Sequence, residues 1–110
     1  MVHTLLETEG YEVSMAKDGF EALDTLKMDP DFNLVILDLS MPRLDGRKVL
    51  DRIRGSKDTS AIPVLVSTAF GDETIEAELL EAGADDFLEK SVDAQRFLAR
   101  VRAVLRRAVM

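Results

Sequence analysis

The residues Asn33-Leu-Val-Ile-Leu-Asp38 decide the fold, because four successive apolar positions lead directly into an aspartate. An apolar run of this length, without alternation, is typical of a strand that is covered on both faces, as in a parallel sheet. Reactive and ligand-binding groups of open parallel sheets lie beyond the carboxyl ends of the strands. The stretch therefore predicts a strand of a parallel sheet that is covered on both faces, and it marks Asp38 as a candidate site residue.

Turn signals divide the rest of the chain into alternating strands and helices. We predict an opening helix that ends at Gly10, and a second helix that begins after Asp18, carries Phe20, Leu23 and Leu26 on one face and ends before Pro30. The further predicted elements are strands at 11–16, 33–38, 62–68 and 86–88, a helix containing Val49, Leu50 and Ile53, and helices at 73–82 and 93–107. Strands that alternate with helices of this size favour right-handed crossovers and a parallel α/β sheet.

Length and composition predict a single domain over residues 1–110 of a soluble, cytoplasmic protein. No apolar run approaches the ~20 residues that a membrane-spanning helix needs, so we expect no membrane association. The net charge of −7 argues against direct nucleic-acid binding. The segment 96–107 nevertheless holds five arginines and no acid, which indicates either a solvated helix face or a docking face for acidic surfaces.

Three polar side chains are expected at the ends of three successive strands: Asp38, Thr68 and Lys90. Each of them alone is more often a structural or surface residue than a functional one. Together they supply a carboxylate nucleophile, a hydroxyl donor and a fixed cation, which are the groups that phosphoryl transfer to a carboxylate requires.

Five motifs make the chain resemble the receiver domains of response regulators in two-component systems, and they cover essentially its whole length. The motifs are Gly10-Tyr-Glu-Val, Asp18-Gly-Phe-Glu-Ala-Leu23, Val35-Ile-Leu-Asp38-Leu-Ser-Met-Pro42-Arg-Leu-Asp-Gly46, Ile62-Pro-Val with Ser67-Thr68-Ala69, and Glu81-Ala-Gly-Ala-Asp-Asp-Phe87-Leu-Glu-Lys90. The resemblance implies a flavodoxin-like, doubly wound parallel sheet with the strand order 2-1-3-4-5.

The resemblance also implies a role for each residue that matches the family's motifs. Asp38 would accept a phosphoryl group from a sensor histidine kinase, a phosphotransfer protein or a small donor such as acetyl phosphate. Thr68 would bind a phosphoryl oxygen, and Lys90 would pair with Asp38 or with the phosphoryl group. Phe87 would turn inward and couple the site to the face formed by the fourth helix, fifth strand and fifth helix. A new charge of about −1.5 to −2 is enough to bias such a two-state surface.

Two further roles follow from the same resemblance. Asp38 and the backbone carbonyl of Ser40 would be ligands of Mg²⁺, and Ser40 and Phe70 would tune the lifetime of the phosphoryl group.

The family's site lysine is usually followed by a proline in a cis peptide bond, whereas this chain has Ser91. Because a cis bond to a residue other than proline costs roughly 2.5–4 kcal/mol, we predict a trans Lys90–Ser91 bond.

The start of the chain departs further from the family. Residues 1–10 match only the last turns of the first helix, so we expect the first strand, the acidic metal-binding pair and most of that helix to be missing. Asp85 and Asp86 stand at the wrong end of the sheet to replace the pair, and they are predicted to be solvated turn residues. We therefore expect Mg²⁺ binding to be weak or absent. We also expect either that exposed strand edges permit self-association, or that the chain is a truncated part of a longer one.

Three functions remain in competition. The first is a signalling switch, not an enzyme, that is phosphorylated on Asp38 and acts on a downstream protein or a fused effector. The alternative is a degenerate receiver that binds partners without phosphorylation, because the acidic pair is absent. A small flavodoxin-like enzyme or nucleotide binder is disfavoured, since no glycine-rich phosphate loop follows any predicted strand.

Overall fold

The computed structural model describes residues 2–39, 45–69 and 73–108. Its strands and helices alternate along the chain after an initial pair of helices. They are α1 (Val2–Thr8), α2 (Gly19–Met28), β1 (Val35–Asp38), α3 (Gly46–Gly55), β2 (Val64–Thr68), α4 (Glu73–Glu81), β3 (Asp86–Glu89) and α5 (Ala94–Ala108).

The strands form a parallel sheet in the order β1-β2-β3. β2 lies in the middle, and its residues Val64, Leu65 and Val66 are completely buried. Such burial on both faces is the reason why this strand and β1 are continuously apolar rather than alternating. The predicted parallel α/β architecture is therefore confirmed for the described residues.

The core has two parts, one on each face of the sheet. On one face, side chains of α2, α3 and α4 pack against Leu37, Val64 and Val66. On the other face, α1 and α5 pack against Leu65 and Leu88. Helices on both faces are what the doubly wound class requires. None of the helices in the described part of the chain is long and apolar enough to cross a membrane.

Helix ends are fixed by local hydrogen bonds that the sequence indicates. Gly10 ends α1 with a φ of 92°, and the N–H of Tyr11 donates to the carbonyl of Leu6 at 3.1 Å. This is the Schellman arrangement, which favours glycine because of the positive φ. At the start of α2, the carboxylate of Asp18 accepts a hydrogen bond from the N–H of Glu21 at 2.9 Å, as an N-cap does.

The prediction of a strand at residues 11–16 is wrong. This segment does not pair with any strand in the described part of the chain, although Tyr11 and Val13 are half-buried against the α1–α5 side of the core. The alternation that suggested a strand reflects this partial packing. A strand forms only where its backbone groups pair with those of a neighbouring strand, and among the described residues the sheet consists of β1, β2 and β3 alone.

The prediction that Phe20, Leu23 and Leu26 share one face of α2 is also wrong. Leu26 is buried, whereas Phe20 is 66% exposed. Three-residue steps fall short of a full helical turn, so two such steps rotate Phe20 about 120° away from Leu26. Gly19 takes the buried position at the start of the helix instead.

Replacement of Gly83 by alanine is expected to lower the free energy of unfolding by about 1–2 kcal/mol, the usual cost of a left-handed conformation for a residue with a Cβ. Gly83 ends α4 with a φ of 116°, and a Cβ there would lie 2.9 Å from Nε of Arg54. Gly55→Ala is the control: no atom lies within 4 Å of its Cβ position, so we expect a change between zero and a gain of about 1 kcal/mol. Urea denaturation of both variants tests this, and equal stabilities would contradict the role assigned to Gly83.

Candidate functional site

The carboxyl edge of the sheet brings together the side chains that the sequence singled out. Asp38 is the last residue of β1, Thr68 is the last residue of β2, and Lys90 directly follows β3. Hydrogen bonds continue the ladder past the strands: the N–H of Leu39 donates to Ser67 at 2.9 Å, and the N–H of Lys90 donates to Thr68 at 2.7 Å. The backbone on either side of β2 is therefore fixed at this edge.

An ion pair joins the first and third strands across this edge. Nζ of Lys90 lies 2.8 Å from Oδ2 of Asp38, and the two side chains are 40% and 31% exposed. At this exposure an ion pair adds little to stability, typically less than about 1 kcal/mol. The pair matters for reactivity, because the Asp38 carboxylate remains accessible to solvent while the Lys90 ammonium group lies beside it. The Lys90–Ser91 bond is trans, as predicted.

Thr68 and Phe87 lie on the same face of the sheet. Phe87 is in register with Val66, and Val66 and Thr68 are two residues apart on β2, so their side chains project to the same side. Thr68 is half-buried. Phe87 is half-buried as well and packs against the core on the side of α3 and α4. The side chains of Thr68 and Phe87, which were predicted to act together, thus lie on the same face of two neighbouring strands. Ser40 and Phe70 lie outside the described residues.

The described residues do not form a site suited to Mg²⁺. No group of three or more potential metal ligands occurs among them. Asp38 offers a carboxylate, but Lys90 already places a cation 2.8 Å from one of its oxygens. Mg²⁺ requires near-octahedral oxygen ligation and is usually held by one or two carboxylates together with substrate phosphate. We therefore derive no chemical step through a metal ion.

Asp85 and Asp86 lie at the amino edge, away from Asp38. The prediction that they are solvated turn residues is wrong for Asp86, which belongs to β3 and has a side chain that is 16% exposed. Asp85 is exposed in the bend before β3, as predicted, but its carboxylate also makes hydrogen bonds within the domain. Oδ2 of Asp85 accepts hydrogen bonds from the N–H of Val64 at 2.8 Å and from Nη2 of Arg54 at 2.9 Å. Asp86 pairs with Nη1 of Arg100 at 3.2 Å. Both carboxylates are thus structural, and they join the start of β3 to its neighbours.

Arg54, which donates hydrogen bonds to several groups at the amino edge of the sheet, was not identified from the sequence. Its guanidinium donates to the carbonyls of Ser60, Ile62 and Gly83 as well as to Asp85. It therefore ties the end of α3 to the loop before β2 and to the turn before β3. Since three of these acceptors are backbone carbonyls, no side-chain pattern in the sequence could have indicated them.

The arginines of α5 are exposed, and two of them form ion pairs with acidic side chains of the domain. Arg100 pairs with Asp86, and Nη2 of Arg102 lies 2.9 Å from Oε1 of Glu9. The second pair fastens α5 to the turn that ends α1. These contacts favour the solvated helix face among the two interpretations of the segment.

Comparison with known proteins gives one consistent result. The family description "Response regulator receiver domain" matches residues 1–102. The chain is 43% identical over 109 residues to the DNA-binding dual master transcriptional regulator RpaA of Synechocystis sp., covering 97% of this chain and 44% of that protein. It is 46% identical over 103 residues to the response regulator MprA of Mycobacterium tuberculosis, covering 93% of this chain and 43% of that protein. It thus spans less than half the length of these two relatives.

Solved structures agree with the sequence comparison. The crystal structure of the receiver domain of NtrX from Brucella abortus superimposes with a TM-score of 0.85 at 29% identity, covering 96% of this chain and 87% of that one. The fold is accordingly a flavodoxin-like α/β domain, as predicted. The chain belongs to the response regulator receiver domain family of two-component systems. Receiver domains of this family are signalling modules.

Proposed function

We propose that this chain is a phosphorylation-dependent switch whose Asp38 accepts a phosphoryl group from a phosphohistidine of a sensor kinase or phosphotransfer protein. The observation that carries the proposal is the 2.8 Å contact between Lys90 and Asp38 at the carboxyl edge of the sheet. A carboxylate that is about one-third exposed and paired with a fixed cation is both reachable and positioned for attack on phosphorus.

The chemistry needs few groups. A carboxylate oxygen of Asp38 forms a bond to phosphorus while the nitrogen–phosphorus bond of the donor histidine breaks, and its electron pair stays on the imidazole. The product is an acyl phosphate. Lys90 offsets the charge that gathers on the phosphoryl oxygens during the transfer, which is the main contribution a protein makes to this reaction.

The response to phosphorylation would pass through Thr68 and Phe87. The Thr68 hydroxyl donates a hydrogen bond to a phosphoryl oxygen and draws the end of β2 towards Asp38. Phe87 then moves further into the core on the same face of the sheet. In support, both side chains are half-buried and lie in one row beside α3 and α4. The altered surface would be that of α4, β3 and α5.

The output would be carried by another polypeptide or by another part of a longer one. The relatives RpaA and MprA are more than twice as long as the aligned part. RpaA is itself described as a DNA-binding transcriptional regulator. We propose that this receiver, which carries a net charge of −7, signals to a fused effector or a downstream protein and does not bind nucleic acid itself. We also propose that residues 1–110 act as one receiver domain, since the family description matches residues 1–102.

Incubation with acetyl phosphate, with and without Mg²⁺, tests the proposal by intact-mass spectrometry. We expect one phosphoryl group on the unaltered chain and on the control Asp24→Asn, which changes an exposed aspartate on α2, but none on Asp38→Asn. Circular dichroism checks that Asp38→Asn is folded. Equal labelling of Asp38→Asn would contradict the assignment of the acceptor. A folded chain that is not labelled under either condition would support the phosphorylation-independent binding module instead.

A further inference from the structure

Ser67 lies directly beside Asp38 on the neighbouring strand. The parallel register of β1 and β2 pairs Asp38 with Ser67, just as it pairs Leu37 with Val66. Paired residues of neighbouring strands project to the same face of a sheet, and the strands themselves lie about 4.8 Å apart. The Ser67 hydroxyl therefore stands on the face to which the acceptor carboxylate projects.

This face of the sheet is the one that α1 and α5 cover. Side chains alternate along a strand, so Asp38 projects to the same side as Ile36, and Ser67 to the same side as Leu65. Ile36 and Leu65 both belong to the part of the core on the α1–α5 side. Thr68, the next residue of β2, projects to the opposite side. Of the two hydroxyl groups at the end of β2, Ser67 is thus the one that shares a face with Asp38.

The ion pair between Lys90 and Asp38 spans the same part of β2. Asp38 ends β1 and Lys90 follows β3, so the backbone of β2 lies between them, yet Nζ of Lys90 is 2.8 Å from Oδ2 of Asp38. Leu88, two residues before Lys90, is in register with Ser67 and packs on the α1–α5 side. Lys90 therefore starts from this face as well. Half-buried Ser67 lies between the strands that supply the two charged groups.

A hydroxyl at this place can assist the loss of the phosphoryl group. In hydrolysis, a water oxygen forms a bond to phosphorus and releases a proton, while the bond from phosphorus to Asp38 breaks and its electron pair stays on the carboxylate. Because the transition state is loose, the departing carboxylate already carries much of its charge. A serine hydroxyl can rotate to donate to it. This hydrogen bond is stronger in the transition state than in the acyl phosphate, so it lowers the barrier.

We propose that Ser67 donates a hydrogen bond to the carboxyl group of Asp38 and thereby accelerates hydrolysis of the aspartyl phosphate. The inference rests on the proposed function, since it requires that Asp38 is the phosphoryl acceptor. Ser67 bonds to the carboxyl oxygen that is not attached to phosphorus, while Lys90 stays with the phosphoryl oxygens. Its effect is to shorten the time for which the phosphorylated state lasts.

The pair of variants Ser67→Thr and Ser67→Val tests this, because threonine and valine have nearly the same shape and threonine alone keeps the hydroxyl. Both residues are β-branched and favoured in strands, so both variants should fold. Each chain is labelled with acetyl phosphate and transferred to buffer without the donor. Intact-mass spectrometry then follows the loss of the phosphoryl group. Ser56→Ala is the control, since Ser56 is exposed at the end of α3.

We expect Ser67→Val to lengthen the half-life of the phosphoryl group by about 3- to 10-fold relative to Ser67→Thr, the range that loss of one hydrogen bond gives. Ser67→Thr and Ser56→Ala should stay within about twofold of the unaltered chain, because both keep a hydroxyl beside Asp38. Equal half-lives of Ser67→Val and Ser67→Thr would overturn the inference and leave the proposed function intact. So would a difference that persists after the labelled chains are unfolded in urea. Absence of labelling on every chain would instead overturn the proposed function, and this inference with it.

Discussion

Arg54→Ala is expected to lower the free energy of unfolding by about 2–4 kcal/mol, since each lost hydrogen bond contributes roughly 0.5–1.5 kcal/mol and the acceptors left unpaired add to the loss. The Arg54 side chain is only 22% exposed. Its guanidinium is shared between three backbone carbonyls and Asp85. Without it, the turn at Gly83 and the loop before β2 lose their common donor, and the amino edge of the sheet loosens. Urea denaturation followed by circular dichroism measures the change.

Arg52→Ala on the same helix is the matched control. Arg52 is exposed, so its removal should change stability by no more than about 0.5 kcal/mol. Arg54→Lys should fall between the two, because an ammonium cannot reproduce the planar set of donors. Equal stabilities of Arg54→Ala and Arg52→Ala would show that the network at the amino edge does not hold the domain together.

Lys90→Gln is expected to slow the labelling of Asp38 by acetyl phosphate by about 10- to 100-fold. This is below the roughly 100- to 1,000-fold that loss of a buried electrostatic stabiliser costs, because Lys90 is 40% exposed and partly screened by solvent. The substitution removes the cation that lies 2.8 Å from the acceptor carboxylate. The fold should persist, because a pair this exposed contributes little to stability. The initial rate of phosphorylation, taken from intact-mass spectra over time, is the quantity to compare.

Lys57→Gln serves as the control for total charge, since Lys57 is exposed in the loop after α3. It should leave the rate within about twofold. Lys57 lies in the loop that leads into the start of β2, whereas Asp38 ends β1 at the opposite edge of the sheet, and salt screens the interaction of exposed charges. Lys90→Arg should recover part of the rate if the charge itself is what matters. If Lys90→Gln is labelled as fast as the unaltered chain, the cation has no part in the transfer.

Much of the architecture follows from residue patterns that report burial directly. The apolar run before Asp38 predicted a parallel strand that is covered on both faces, and β1 is parallel to β2 with helices packed on either face of the sheet. Val49, Leu50 and Ile53 predicted the buried face of α3, and all three are buried. Positions at strand ends could be predicted because parallel strands deliver their last residues to one edge. For this reason the proximity of Asp38 and Lys90 could be predicted from the sequence.

Apart from the error at Phe20, the failures share a physical origin, which is that a single segment does not specify its neighbours. The alternation in residues 11–16 was real, but a strand exists only through a second backbone that pairs with it. Phe20 was assigned to the wrong face because three-residue spacing was followed across two turns. Arg54 was overlooked because its partners are mostly carbonyl groups, which every residue has. The interactions of Asp85 and Asp86 likewise depend on arginines that are distant in sequence.

The most direct test of the central claim is to trap the phosphoryl group where it is attached. Borohydride reduces an aspartyl phosphate to homoserine, so the unaltered chain is incubated with acetyl phosphate, reduced, digested and sequenced by mass spectrometry. The proposed function predicts homoserine at position 38 and an unmodified aspartate at every other position. Homoserine at another aspartate, or an unmodified Asp38 in a chain that does carry a phosphoryl group, would contradict it.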